Sequence, residues 1–144
     1  MLLPSLLAAQ GNILSVTPPA KVMAKKNTVV TAKLDLQLRN GFHVNSNKPA
    51  DDYLIPLRLT WSAGPLELQE VAYPKPRLEK YEFSEKPLSV YSGVFEVVTR
   101  FKVPASAAPG MQMISGKLRY QACSDKECFP PKTIEVRLPV DIVN

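Results

Sequence analysis

The stretch Thr28-Val-Val-Thr-Ala-Lys-Leu-Asp-Leu-Gln-Leu-Arg39 decides the fold. Val30, Ala32, Leu34, Leu36 and Leu38 alternate in it with Thr31, Lys33, Asp35, Gln37 and Arg39. Successive side chains of an extended chain point to opposite faces, so this period of two marks a half-buried strand. Helical periodicity is poor throughout, and the candidate stretches are interrupted by proline.

The same alternation recurs on the C-terminal side. In residues 94–103, Phe95, Val97, Phe101 and Val103 face one way while Glu96, Arg100 and Lys102 face the other. Residues 55–61 and 66–73 read as shorter strands around the turn Ser62-Ala-Gly-Pro65, and residues 114–122 and 133–140 form a final pair. The chain has 14 prolines against only 6 glycines, which suits strand ends and rigid turns. Seven or eight short strands separated by turns predict an all-β protein, an immunoglobulin-like antiparallel β-sandwich.

At 144 residues, with 45% apolar and 22% charged residues, the chain can bury one core without metals or disulfides. We therefore expect a single domain over residues 12–144, preceded at 1–11 by an apolar arm or signal-peptide remnant. The start, Met1-Leu-Leu-Pro-Ser-Leu-Leu-Ala-Ala-Gln10, resembles the tail of a secretory signal but has no basic n-region. No stretch approaches the ~18 apolar residues of a membrane span. The net charge of +5 is scattered, with only Lys25 and Lys26 adjacent, which argues against a nucleic-acid platform.

Chemistry concentrates in Tyr120-Gln-Ala-Cys-Ser-Asp-Lys-Glu-Cys-Phe-Pro-Pro131, which holds both cysteines. A disulfide closing so short a loop stabilises by only about 2 kcal/mol. Ile114, Gly116, Leu118, Tyr120 and Ala122 share the core phase; Lys117, Arg119, Gln121 and then Cys123 share the polar phase. This places Cys123 at an outward-facing strand end near the surface, with residues 124–132 as the hairpin to the last strand. An exposed short-loop disulfide fits reversible thiol–disulfide exchange or an inert hairpin staple, and the local sequence leaves both open. No Cys-x-x-Cys is present, and Asp125 and Glu127 would raise the thiol pKa, so self-activation is not expected.

Other site chemistries are poorly supplied. Cys123, Cys128 and the single histidine, His43, about eighty residues away, do not make a closed tetrahedral metal site. Met111 and Met113 could take soft Cu(I), but packing is the simpler expectation. No cofactor is expected. His43 is the only base a nucleophile could use, nothing in the sequence places it near one, and it reads as a partly buried strand-end residue.

The cysteine stretch resembles the active-site segment of the N-terminal periplasmic domain of the thiol:disulfide interchange protein DsbD. The shared pattern is aromatic-Gln-small-Cys, a short acidic loop, Cys, an aromatic or aliphatic residue, then Pro-Pro. Asn40-Gly-Phe-His-Val-Asn45 and Glu82-Phe-Ser-Glu-Lys-Pro87, followed by Val90-Tyr-Ser-Gly93, agree with it. The resemblance runs from about residue 13 to 140. It implies an immunoglobulin-like fold and a redox-active pair, Cys123 and Cys128, acting as a protein-disulfide reductase domain in the periplasm. It further implies electrons arriving from a thioredoxin-like domain, fed by a membrane-embedded electron transporter, and leaving to periplasmic disulfide isomerases and cytochrome c maturation factors. Cys128 is implied as the site of the mixed disulfide. A cap loop shields the cysteines in that family: Phe83 matches its aromatic residue and Glu82 a nearby carboxylate that keeps the thiol pKa high.

Two departures stand out. The loop holds four residues between the cysteines, one fewer than expected of the best-known members. The chain also has no membrane or thioredoxin-like domain, as an excised domain or a stand-alone relative would not. The competing expectation is a non-catalytic immunoglobulin-like binding module with a structural hairpin disulfide.

Overall fold

The stretch with alternating residues forms a strand at Val29–Leu38 (β3), with Ala32, Leu34, Leu36 and Leu38 buried and the residues between them exposed. The computed structural model describes residues 13–144, so the arm expected at 1–11 lies outside the described residues. Strand β3 pairs antiparallel with Val94–Lys102 (β9), from Val29 opposite Lys102 to Gln37 opposite Val94. Leu14–Thr17 (β1) and Glu67–Ala72 (β6) complete a four-stranded sheet in the order β1-β3-β9-β6.

A second sheet covers its apolar face. It is built from Val22–Lys25 (β2), Lys132–Val143 (β12), Gly110–Tyr120 (β10) and Arg58–Ser62 (β5), in the order β2-β12-β10-β5. The inner faces interdigitate in two clusters. Leu34, Leu36 and Val97 of the first sheet meet Leu59, Leu118 and Val136 of the second, while Phe101 and Ala32 meet Ile114, Leu138 and Val140. Between them the Trp61 ring lies edge-on to Phe101, with centroids 5.4 Å apart, and its Nε1–H donates to Thr99 Oγ1 at 3.0 Å. Thr99 is thereby buried on the face shared by Val97 and Phe101, its hydroxyl satisfied by the indole. Gly116 is required where β10 passes this indole, because a Cβ there would lie 2.9 Å from Trp61 Cε3.

The expected sandwich is present, with differences in detail. Among the described residues every strand pair is antiparallel except β2–β12, which is parallel. The described residues form twelve strands, not seven or eight, because a third sheet adds to the sandwich. It consists of Ala122–Cys123 (β11), His43–Asn45 (β4), Leu88–Tyr91 (β8) and Arg77–Glu79 (β7), in the order β11-β4-β8-β7. These strands are two to four residues long, and β4, β8 and β11 are buried on both faces. A strand covered on both sides shows no polar–apolar alternation, so periodicity could not reveal it. The expectation that Met111 and Met113 pack is also corrected. Both lie in the outward phase of β10, with Lys117 and Arg119 and opposite to Ile114 and Leu118, and both are 60% exposed. No helix among the described residues is long and apolar enough to cross a membrane.

Candidate functional site

Strand β10 leaves the second sheet at Tyr120, and after Gln121 the chain joins the third sheet as β11, Ala122 opposite Val44 and Cys123 opposite His43. At this corner the outward phase of β10 ends. Ala122 and Cys123 are consecutive and both buried, Cys123 completely. The expectation of an outward-facing Cys123 near the surface is therefore wrong, because the chain changes sheets at Gln121, two residues before it. The expectation of surface exposure belongs to Cys128, which is solvent-exposed.

The two sulfurs form a disulfide between residues whose Cα atoms are 3.9 Å apart, as an isolated antiparallel bridge. Backbone hydrogen bonds flank the pair on both sides, from Ser124 N to Glu127 O at 2.8 Å and from Phe129 N to Ala122 O at 2.9 Å. A cross-strand pair between such bonds has closely spaced Cα atoms, so hairpin pairing itself brings the sulfurs together. Within the turn, Ser124 Oγ accepts hydrogen bonds from the N–H groups of Lys126 and Glu127, each at 3.2 Å. Short hydroxyl-to-backbone bonds of this kind favour turns over strands. The Gln121 side chain fixes the hairpin from below: its Nε2 donates to Phe129 O at 3.2 Å, and its Oε1 accepts from Asn45 Nδ2 at 3.5 Å.

Aromatic rings flank the disulfide. Phe129, directly after Cys128, lies against Phe42 with centroids 6.0 Å apart. Both line an apolar cleft of about 380 Å³ with Ile13, Tyr120 and Pro130, rimmed by Arg39 and Lys132. On the other side the His43 imidazole stacks on the Tyr81 ring at 4.1 Å, and the Phe83 ring lies near-parallel, 5.6 Å from Tyr81 and 6.4 Å from His43. Tyr81 in turn packs on a small core of Leu54, Leu88 and Val90.

His43 is the strand-end residue read from the sequence, but it is buried outright, not partly, and it is not remote from the cysteines. It is 3% exposed and stands directly opposite Cys123. Burial holds its pKa at about 4, below the ordinary 6.5, so it is neutral at neutral pH. Its Nε2 is buried and has no hydrogen-bond partner among the described residues. The only sequence signal for this placement was the segment Gly41-Phe-His-Val-Asn45, which looked supporting and not chemical.

Residues 81–84 form a turn closed by a bond from Ser84 N to Tyr81 O at 3.2 Å. Lys80 Nζ clamps it by donating to Tyr81 O at 2.8 Å and also to Ser84 O. Glu82 and Phe83 occupy the tip, Glu82 exposed and Phe83 39% exposed. The structure thus brings Cys123, Cys128 and His43 into one row and sets Phe83 over the histidine end of that row. Burial and the neighbouring Glu79 push the Tyr81 hydroxyl up to about 12, so it remains neutral.

Comparison with known proteins bears on this arrangement. The family model described as the N-terminal part of the thiol:disulfide interchange protein DsbD matches residues 10–139. Among solved structures, the N-terminal periplasmic domain of ScsB from Proteus mirabilis is similar with a TM-score of 0.59 at 14% identity, over 87% of this chain and 44% of that one. The chain therefore spans less than half of that chain's length, and at this identity the likeness concerns the fold. Weaker likenesses, on which no argument rests, are to the VesB protease of Vibrio cholerae and a cohesin–dockerin complex of Clostridium thermocellum. The first has a TM-score of 0.49 at 9% identity, over 96% of this chain and 34% of that one. The second has 0.48 at 14%, over 92% and 100%. No curated protein matches the chain in sequence.

Proposed function

Because the chain belongs to the family of N-terminal domains of the thiol:disulfide interchange protein DsbD, we propose that its Cys123–Cys128 bond opens and closes as an electron relay outside the cytoplasm. The observation that carries this reading is the unequal exposure of the two sulfurs' residues, Cys128 open to solvent and Cys123 fully buried. A staple has no need of an exposed half; an exchange centre does, since a partner thiolate must approach one sulfur along the bond axis.

The steps balance as follows. A thiolate of a reduced thioredoxin-like donor attacks Cys128 Sγ, the Cys123–Cys128 bond breaks, and its electron pair leaves on Cys123 Sγ. The donor's second thiol attacks the mixed disulfide at the donor's own sulfur and releases Cys128. The domain has then gained two electrons and two protons, and the donor carries the new disulfide. Reduction of an acceptor runs in reverse: Cys128 attacks the acceptor disulfide, and Cys123 resolves the mixed disulfide by attacking Cys128 Sγ. The donor is a thioredoxin-like protein or domain, supplied by a membrane-embedded electron transporter. The acceptors are periplasmic disulfide-bonded proteins, including those of cytochrome c maturation. Phe83, at the tip of its Lys80-clamped turn, acts as a lid, with Glu82 beside it keeping negative charge near the thiols.

The burial of Cys123 alone would suit a structural disulfide in a non-catalytic binding module, so one experiment must separate the two. Cys123→Ala should trap a mixed disulfide with a thioredoxin-like protein through the exposed Cys128, whereas Cys128→Ala, with only the buried sulfur left, should trap far less. Absence of any trapped adduct from either variant would rule out the relay.

A further inference from the structure

Cys128, Cys123 and His43 form a row across three neighbouring chain segments, because Cys123 is the antiparallel partner of both other residues. Residues directly opposite in antiparallel pairs project to the same face, with Cβ atoms about 4.5–5.5 Å apart. The row therefore runs from the solvent-exposed residue Cys128, through the buried Cys123, to a buried imidazole behind it. That imidazole is held by stacking on Tyr81, and its Nε2 has no hydrogen-bond partner among the described residues.

A buried ring nitrogen without a hydrogen-bond partner is costly, of the order of 1–3 kcal/mol, and needs a reason. In the oxidised protein Cys123 has no proton to offer. Reduction changes that, because the departing Cys123 sulfur is buried and a bare thiolate there would be strongly disfavoured. Resting on the relay reading above, we propose that His43 is the positioning residue of the buried sulfur: in the reduced protein Cys123 S–H donates to His43 Nε2, an acceptor left open in the disulfide form. The imidazole's neutrality at neutral pH fits an acceptor and not a charged partner. The other ionisable groups around it are Tyr81 on its face and the carboxylates of Glu79 and Asp125, which line a shallow cleft with His43 and Tyr81. Asp125 is exposed and Glu79 half-buried, and among the described residues neither forms an ion pair with the imidazole. The acceptor bond exists only with the thiol, so it stabilises the reduced form and raises the reduction potential.

The test is the equilibrium of the pair with a glutathione redox buffer, which requires only that the bond can be reduced and no partner protein. It therefore fails separately from the trapping experiment. His43→Phe keeps a ring on Tyr81 but removes the acceptor. It should shift the equilibrium towards the disulfide by about tenfold, equivalent to about −30 mV. His43→Gln, which restores an acceptor, should recover most of that shift. A Phe variant within twofold of the native protein, or equal losses in both variants, would overturn the assignment. Imidazole 15N resonances of the native protein decide the matter if the Phe variant does not fold. Nε2 should stay unprotonated while its resonance moves on reduction; an unmoved resonance, or a proton on Nε2 in the reduced state, would overturn it equally.

Discussion

The two large sheets and the small third sheet are built on different rules. The large sheets use strands such as β3, β9, β10 and β12, nine to twelve residues long, each with one wet face and one dry face. The third sheet uses strands of two to four residues, most of them dry on both faces, and it holds the disulfide, the histidine and the clamped turn. Apolar area removed from water scales with strand length, so the sandwich supplies most of the stability. The third sheet supplies placement: a fully buried cysteine bonded to a solvent-exposed one, with rings on both sides. Most of the buried core and the candidate site thus lie in separate sheets.

That division can be broken most severely in the sandwich. Phe101→Ala removes a fully buried ring that meets Trp61, and should cost about 3–5 kcal/mol by urea unfolding. The exchange equilibrium of the folded fraction should not change; if it does, the two regions are coupled. Acid should act on the other side of the divide. His43 has its folded pKa lowered to about 4 from 6.5, so the unfolded chain binds the proton more readily between these values. Stability is then full above pH 6.5, falls as the pH drops towards 4, and loses no more below it, about 3 kcal/mol in all. Unfolding of the native protein and of His43→Phe at pH 7, 5 and 3.5 isolates this loss from that of the carboxylates. An identical pH profile in both proteins would remove His43 as the cause.

Reducing the disulfide should cost less, about 2 kcal/mol, because the closed loop is short. Amide exchange should leave the Ser124 and Phe129 N–H groups protected in the reduced protein, since their bonds involve no sulfur. The smallest effect expected is at the lid: Phe83→Ala should speed alkylation of the reduced thiols severalfold, with unfolding scarcely altered. An unchanged alkylation rate would leave Phe83 as an ordinary loop anchor.

What could be read from the sequence follows the same divide. Strand β3 was visible because every second residue from Ala32 to Leu38 is buried and every other one exposed. The cysteine pair and its turn were visible as a local motif. Extending the alternation of β10 past Tyr120 misplaced Cys123, because the chain changes sheets at Gln121 and a two-residue strand carries no period. His43 was lost for another reason: its proximity to Cys123 is a pairing across about eighty residues that spacing cannot express. Tyr81 carried no signal of its own beside Phe83, although its ring stacks directly on the histidine. Long-range placement by short, dry strands is where pattern reading stops.

The Ser124 turn has a consequence for the proposed relay. Its hydroxyl and backbone bonds involve neither sulfur, so they would shape the hairpin equally in either redox state. On that reading a donor arriving at the oxidised domain and an acceptor arriving at the reduced one would meet the same landing surface. Both would compete for a single berth, and shape could not sort them. The direction of electron flow would then be settled by the relative potentials and abundances of the visitors, and an excess of either one would slow the other by simple occupancy.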